Sequence, residues 1–186
     1  MSKLIAAINM TLDGYCDHTA GIADEETHQH YSDLVRTADT LLYGRITYQL
    51  MENYWPSVVQ NPTGNKALDE FAVSIDNVHK IVYSRTLTSV TWKNSTLKHE
   101  INKEEIIALK QKAERDIFAG SPSLIVALTQ LGVIDEYQLC IHPVILGSGL
   151  TLFKNITEKI DLNLFDTKIF RCGAIILYYR VNADMR

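Results

Sequence analysis

A mostly parallel α/β sheet flanked by helices, with antiparallel strands at its C-terminal end, is the fold class this sequence predicts. Short continuous apolar runs alternate with amphipathic stretches, the pattern of strands buried on both faces and joined by crossover helices. Several runs stop at a turn that bears glycine or serine, as at Gly44, Ser84 and Gly120. Two further strand-like segments close the chain, near Leu162 to Phe170 and Ala174 to Val181. At 186 residues the chain fits one domain, 1–186, with no linker, repeat or low-complexity tract.

Leu4 to Ile8 is the first strand, followed by the turn-rich Thr11-Leu12-Asp13-Gly14-Tyr15. From Asp24 the composition is helical, with Tyr31, Leu34 and Val35 on one side. Ala38 to Tyr43 reads as the second strand. Arg45 to Asn53 reads as a short helix broken before Trp55-Pro56, and Ala67 to Val73 as another turn or two of helix. Val78 to Tyr83 is a strand by β-branched content, and Thr88 to Trp92 a short additional one. Asn102 caps a helix to Lys112, and Asp116 to Ala119 is a short apolar strand. Ser121 caps a helix that starts at Pro122, carries Leu124, Ile125, Leu128 and Leu131 as its apolar stripe, and ends at Gly132. Tyr137 to Ile141 is a strand and Pro143 to Gly149 a glycine-bearing loop.

Composition narrows the function classes. Eighteen basic against 22 acidic residues leave a formal charge of −4, so no broad field attracts a polyphosphate backbone and nucleic acid is not expected as a partner. Cys16, Cys140 and Cys172 are odd in number, far apart and without a CxxC pair, which fits reduced thiols rather than a disulfide framework or zinc. No stretch approaches the ~20 apolar residues of a membrane span, and the N-terminal apolar run turns polar too early for a signal peptide. The expected location is the cytoplasm.

In an open α/β sheet, ligands collect beyond the carboxyl ends of the strands. Four segments belong there: Tyr43-Gly44-Arg45-Ile46-Thr47, Tyr83-Ser84-Arg85-Thr86, Ala119-Gly120-Ser121-Pro122-Ser123 and Leu146-Gly147-Ser148-Gly149. Glycine admits close backbone approach, helix N-termini favour phosphate, and Arg45 and Arg85 add guanidinium forks. Neither GxGxxG after the first strand nor GxxxxGK[ST] occurs, which disfavours a Rossmann dehydrogenase and a P-loop NTPase.

Leu4-Ile5-Ala6-Ala7-Ile8 with Leu12-Asp13-Gly14-Tyr15, then Gly44-Arg45-Ile46-Thr47-Tyr48, resembles the dihydrofolate reductase superfamily. Phe118-Ala119-Gly120-Ser121-Pro122-Ser123-Leu124 and the run Pro143 to Phe153, with Asp135-Glu136-Tyr137 upstream, resemble the C-terminal reductase domain of bifunctional riboflavin-biosynthesis enzymes and stand-alone bacterial proteins like it. The resemblance covers nearly the whole chain and implies a dihydrofolate-reductase-like fold. The cofactor it implies is NADPH. Gly44, Arg45 and Thr47 would face its pyrophosphate and ribose, Ser84 and Arg85 its adenosine end and 2′-phosphate. Gly120, Ser121, Pro122, Ser123 and Leu124 would receive the pyrophosphate, and Ala7 with the Asp13-Gly14-Tyr15 loop would border the nicotinamide. The activity implied is hydride transfer to a small pyrimidine- or pterin-like heterocycle, in a homodimer paired through late strands. The alternative is a catalytically silent dimeric protein that keeps the NADP(H) pocket as a sensor or structural element. Ala119 stands where the family often has a second glycine, and the zinc deaminase motifs H-x-E and P-C-x-x-C are absent from the sequence.

Asn9, Tyr31, His142, Leu146 and Gly147 are the candidates for substrate contact, and Asp13 is the candidate catalytic residue. Asp13 either orients substrate or makes a turn with Gly14. His142 either reaches substrate or is a partly buried histidine bonded to backbone. His28 and His30 either line a substrate cleft beside Tyr31 or, the favoured expectation, are exposed, and their spacing makes them poor joint metal ligands.

Overall fold

The computed structural model describes residues 1–22 and 24–182. Its strands are β1 (Leu4–Thr11), β2 (Thr40–Gly44), β3 (His79–Tyr83), β4 (Ser95–Lys98), β5 (Ile117–Ala119), β6 (Glu136–His142), β7 (Leu162–Ile169) and β8 (Ile175–Val181). The helices are α1 (Glu25–Thr37), α2 (Arg45–Gln60), α3 (Lys66–Asn77), α4 (Lys103–Lys112) and α5 (Pro122–Gln130). One sheet of order β4-β3-β2-β5-β1-β6-β8-β7 takes up all eight strands. Pairing is parallel from β4 through β6, and β8 and β7 add antiparallel at the far edge. This is the fold class the sequence predicts.

Strand residues alternate between the two faces of the sheet. Leu4, Ala6 and Ile8 of β1 point to the face covered by α4 and α5 through Ile106, Leu124, Ile125 and Leu128. Ile5 points to the opposite face, covered by α1, α2 and α3 through Val35, Tyr48, Phe71 and Ile75. A smaller cluster of Cys140, Phe170, Ala174 and Ile176 extends the core toward the antiparallel edge. All three cysteines are free, Cys140 buried and the others half-buried.

Two elements differ from the sequence expectation. Helix α2 does not break before Trp55-Pro56 but runs through both residues to Gln60. Tertiary contacts hold it: the Trp55 ring packs edge-on against Phe71 at 4.5 Å, its indole N–H reaches Met51 Sδ at 3.3 Å, and Val58 is buried. That packing outweighs the lost Pro56 N–H. Thr88–Trp92 forms no strand. Trp92 turns inward, its indole N–H donating to Asp76 at 2.7 Å and its backbone N–H to the Tyr48 hydroxyl at 3.0 Å. The additional strand starts later, at Ser95, after Asn94 takes a left-handed turn at φ 56° and accepts from Lys80 N–H.

Candidate active site

Register opens a notch in the carboxyl edge of the sheet. Strand β1 pairs with β6 as far as Thr11, but with β5 only from Leu4 to Ala6. Strand β5 ends at Ala119, so beyond Ala6 the chain of β1 borders the Gly120 turn instead of a paired strand. A Cβ built on Gly120 would lie 3.6 Å from the Ala7 carbonyl oxygen, which places these residues together. The ends of β2 and β5 are joined beside them. Gly44 N–H donates to Ser121 Oγ at 2.8 Å, and a Cβ on Gly44 would meet the Ser121 and Ser123 side chains at 3.5 and 3.7 Å.

Helix capping sets this corner apart. The first N–H groups of any helix lack intrahelical partners. Asp24 caps α1 in a reciprocal pair with Thr27, Asn65 caps α3 and Asn102 caps α4. Helices α2 and α5 have no side-chain cap. Ser121 stands at the N-cap of α5, as the sequence suggests, but its 2%-exposed hydroxyl is spent on Gly44. Two uncapped N-termini therefore sit side by side, with their positive dipole ends at the notch. Ser123 and Arg45 are exposed there, Thr47, Gly120 and Pro122 half-buried, and Leu124 anchors α5 in the core.

At β3, Ser84 is 8% exposed and its hydroxyl accepts from the Thr86 and Leu87 N–H groups at 3.2 and 3.0 Å. Arg85 is exposed beside that turn. Ser84 thus builds the turn that presents Arg85.

On the α1 side, Asn9 Oδ1 accepts from the Tyr31 hydroxyl at 2.7 Å and lies 3.0 Å from His142 Nε2. His142 is buried, and its Nδ1 accepts from Ile22 N–H at 3.1 Å. A backbone N–H only donates, so Nδ1 holds the lone pair and Nε2 carries the proton. Burial lowers the His142 pKa and raises that of Tyr31 well above its ordinary value. Both stay neutral near pH 7. Of the two uses weighed from sequence, the backbone bond is present, in a histidine that is buried and lies against the exposed Asn9.

Asp13 is engaged by its own scaffold. Its carboxylate accepts from Thr11 Oγ1 at 2.6 Å, from Leu146 N–H at 3.0 Å and from Gly147 N–H at 2.7 Å. The Thr11 hydroxyl, then the Gly147 amide, hold its pKa below the usual carboxylate value. The clip ties the β1 turn to the 143–149 loop, as do Leu12 N–H to the Val144 carbonyl and Cys16 N–H to the Leu150 carbonyl. Leu146 and Gly147 direct their N–H groups at Asp13. Gly14 turns at φ 87°, a conformation that favours glycine, and Tyr15 lies against Gly149.

His28 is half-buried rather than exposed as expected, and so is His30. His30 lies against Phe170 at 5.6 Å between ring centroids, with Lys168 Nζ 3.3 Å from its Nδ1. Burial, then the Lys168 charge, lowers its pKa to about 4. The unfolded chain therefore binds more protons than the folded one between pH 6.5 and about 4. Stability contributed by neutral His30 is complete above pH 6.5 and lost as pH falls toward 4. Thermal melts across that window should show a steeper acid limb for the native chain than for His30→Gln; identical limbs would remove His30 from the account.

The family model for the RibD C-terminal domain matches residues 2–178. The chain belongs to the RibD C-terminal domain family. This RibD C-terminal domain is 31% identical over 188 residues to the Bacillus subtilis protein YyaP, covering 97% of this chain and 95% of that one. Its fold resembles a Shewanella sp. PV-4 protein named for riboflavin biosynthesis, with TM-score 0.75, 18% identity and 97% and 99% of the two chains covered. It also resembles dihydrofolate reductase from Enterococcus faecalis complexed with NADP(H), with TM-score 0.63, 17% identity and 97% and 96% covered. Among the described residues of this RibD C-terminal domain, no helix is long and apolar enough to cross a membrane, and no group of three or more His, Cys, Asp or Glu is placed to hold a metal ion.

Proposed function

We propose that this RibD C-terminal domain protein is a reductase that binds NADPH across the notch and reduces a small pyrimidine- or pterin-like heterocycle. The observation that carries the reading is the pair of uncapped helix N-termini bridged by Gly44 and Ser121. Free N–H groups and aligned dipoles favour a pyrophosphate, and glycine at positions 44 and 120 leaves its approach open. Thr47, Ser123 and Leu124 would meet the phosphates with Arg45 nearby, Arg85 the 2′-phosphate, and Ala7 the nicotinamide. Such a cofactor supplies the hydride, so the protein's own part is orientation, exclusion of water and hydrogen bonding to the substrate.

Titration of the purified protein with NADPH and NADH, followed by nicotinamide fluorescence, tests the reading; binding of neither would end it. Arg85→Ala should weaken NADPH roughly 10- to 100-fold and leave NADH nearly unchanged, because a guanidinium–phosphate contact is worth roughly 1.5–3 kcal/mol and each 1.4 kcal/mol is about tenfold. Equal losses would remove the 2′-phosphate from Arg85.

Homodimer formation belongs to the same proposal. Strand β7 is an outer edge, and Leu164, Phe165 and Ile169 on it are 52%, 40% and 69% exposed. An open apolar edge strand is a template for pairing. Leu164→Lys combined with Ile169→Lys should convert a dimer into a monomer in light scattering; a native monomer at all concentrations would exclude the pairing.

A further inference from the structure

The hydrogen-bond polarity around Asn9 constrains what the site can take, on the reductase reading that places substrate against β1. Ile22 N–H fixes the lone pair of His142 on Nδ1, so Nε2–H must donate. The Asn9 atom 3.0 Å from that Nε2–H is therefore the carbonyl oxygen Oδ1, which also accepts from Tyr31. The amide is locked in one orientation. The histidine ring is tied at both nitrogens, by Ile22 N–H at Nδ1 and by Asn9 at Nε2, and lies beside Gly21, where an added Cβ would come within 3.3 Å of it. Asn9 is exposed, and among the described residues no acceptor takes a hydrogen from its Nδ2.

Three carboxylates at or on α1 are engaged away from that position, and Glu25 is exposed. Asp24 caps its own helix, Glu26 accepts from Arg171 N–H, and Asp33 pairs with Gln29 and Arg36. Asp13 is held by Leu146 and Gly147. We propose that the site selects a substrate presenting a neutral hydrogen-bond acceptor, a carbonyl oxygen or an unprotonated ring nitrogen, to Asn9 Nδ2. A protonated or amino-bearing edge is rejected there, because donor would face donor at a desolvated contact. Tyr31 and His142 are positioning residues that act through Asn9.

Uracil and 2,4-diaminopyrimidine form a matched probe pair that exchanges carbonyl for amino groups. They are titrated at a pH where the diamino ring is protonated, with and without NADPH. The native protein should bind uracil at least tenfold more tightly. Asn9→Asp keeps both acceptor bonds to Tyr31 and His142 but removes the donor, and should reverse the order. His142→Ala should shrink the preference severalfold by freeing the amide, while His142→Gln, which can still donate, should retain it. An unchanged ratio in folded Asn9→Asp, equal affinities in the native protein, or binding of neither pyrimidine would overturn the proposal. Loss of NADPH binding alone would defeat the reductase reading while the cofactor-free titrations still report the Asn9 preference.

Discussion

Ser123→Asp should lower NADPH affinity about 100-fold or more while leaving the melting temperature unchanged or slightly raised. Ser123 is exposed at the second residue of α5, whose N-terminus has no side-chain cap. A carboxylate in the first turn of a helix is stabilising by roughly 0.3–1 kcal/mol through the dipole. The same charge meets a dinucleotide phosphate within about 4 Å, where like charges at an effective dielectric near 20 repel by roughly 4 kcal/mol. Each 1.4 kcal/mol is about tenfold in binding, so even after screening two decades are expected. The signs are opposite for fold and ligand, and this separates the site from the scaffold. Ser123→Asn, neutral and of the same size, should cost little in either measurement. If Ser123→Asp bound NADPH as tightly as the native chain, the α5 N-terminus would not hold the cofactor.

Much of this was legible in the sequence because the strands buried on both faces carry an unbroken apolar signal. Leu4 to Ile8, Ala38 to Tyr43 and Asp116 to Ala119 all fall on or beside strands β1, β2 and β5. The turns at Gly44 and Gly120 were legible for the same reason, since a strand that ends in glycine and enters a helix leaves a local mark. What local pattern cannot supply is the partner of a polar atom. Ser121 sits where a cap belongs, yet its hydroxyl serves Gly44, 77 residues away in the chain. Asn9, Tyr31 and His142 meet across separations of 22 and 133 residues, and the protonation of one orients the amide of another. By sequence Asp13 either orients substrate or makes a turn with Gly14, and the 143–149 loop supplies a third use that only the fold brings near. Trp55-Pro56 misled because a proline's local penalty is visible and the packing of Trp55 on Phe71 is not.

Lys80→Met should destabilise the fold by roughly 3–5 kcal/mol, the usual cost of removing one partner of a buried charged network, and leave cofactor affinity intact. Lys80 is 0% exposed and is followed in its strand by the buried Ile81, Val82 and Tyr83. Its Nζ donates to the carbonyls of Ile75, Asp76 and Val78 at 2.8, 3.2 and 2.9 Å, and lies 4.3 Å from the centre of the Trp92 ring. These carbonyls include the C-terminal groups of α3, which have no partner within the helix. The Asp76 carboxylate, held by the Trp92 indole and by Lys93, adds opposite charge nearby. Methionine fills similar volume but leaves every one of those acceptors in place and unpaired, so apolar burial cannot compensate. For a chain of this length the melting temperature should fall by about 2–4 °C per kcal/mol. Lys80 lies at the amino end of β3, whereas Gly44, Gly120 and Arg85 lie at or just beyond the carboxyl ends of their strands. NADPH affinity measured well below the melting point should therefore match the native value. A large loss of affinity in folded Lys80→Met would mean that the two edges of the sheet are coupled, and that the notch owes its shape to the α3–β3 junction as well as to the helix ends that border it.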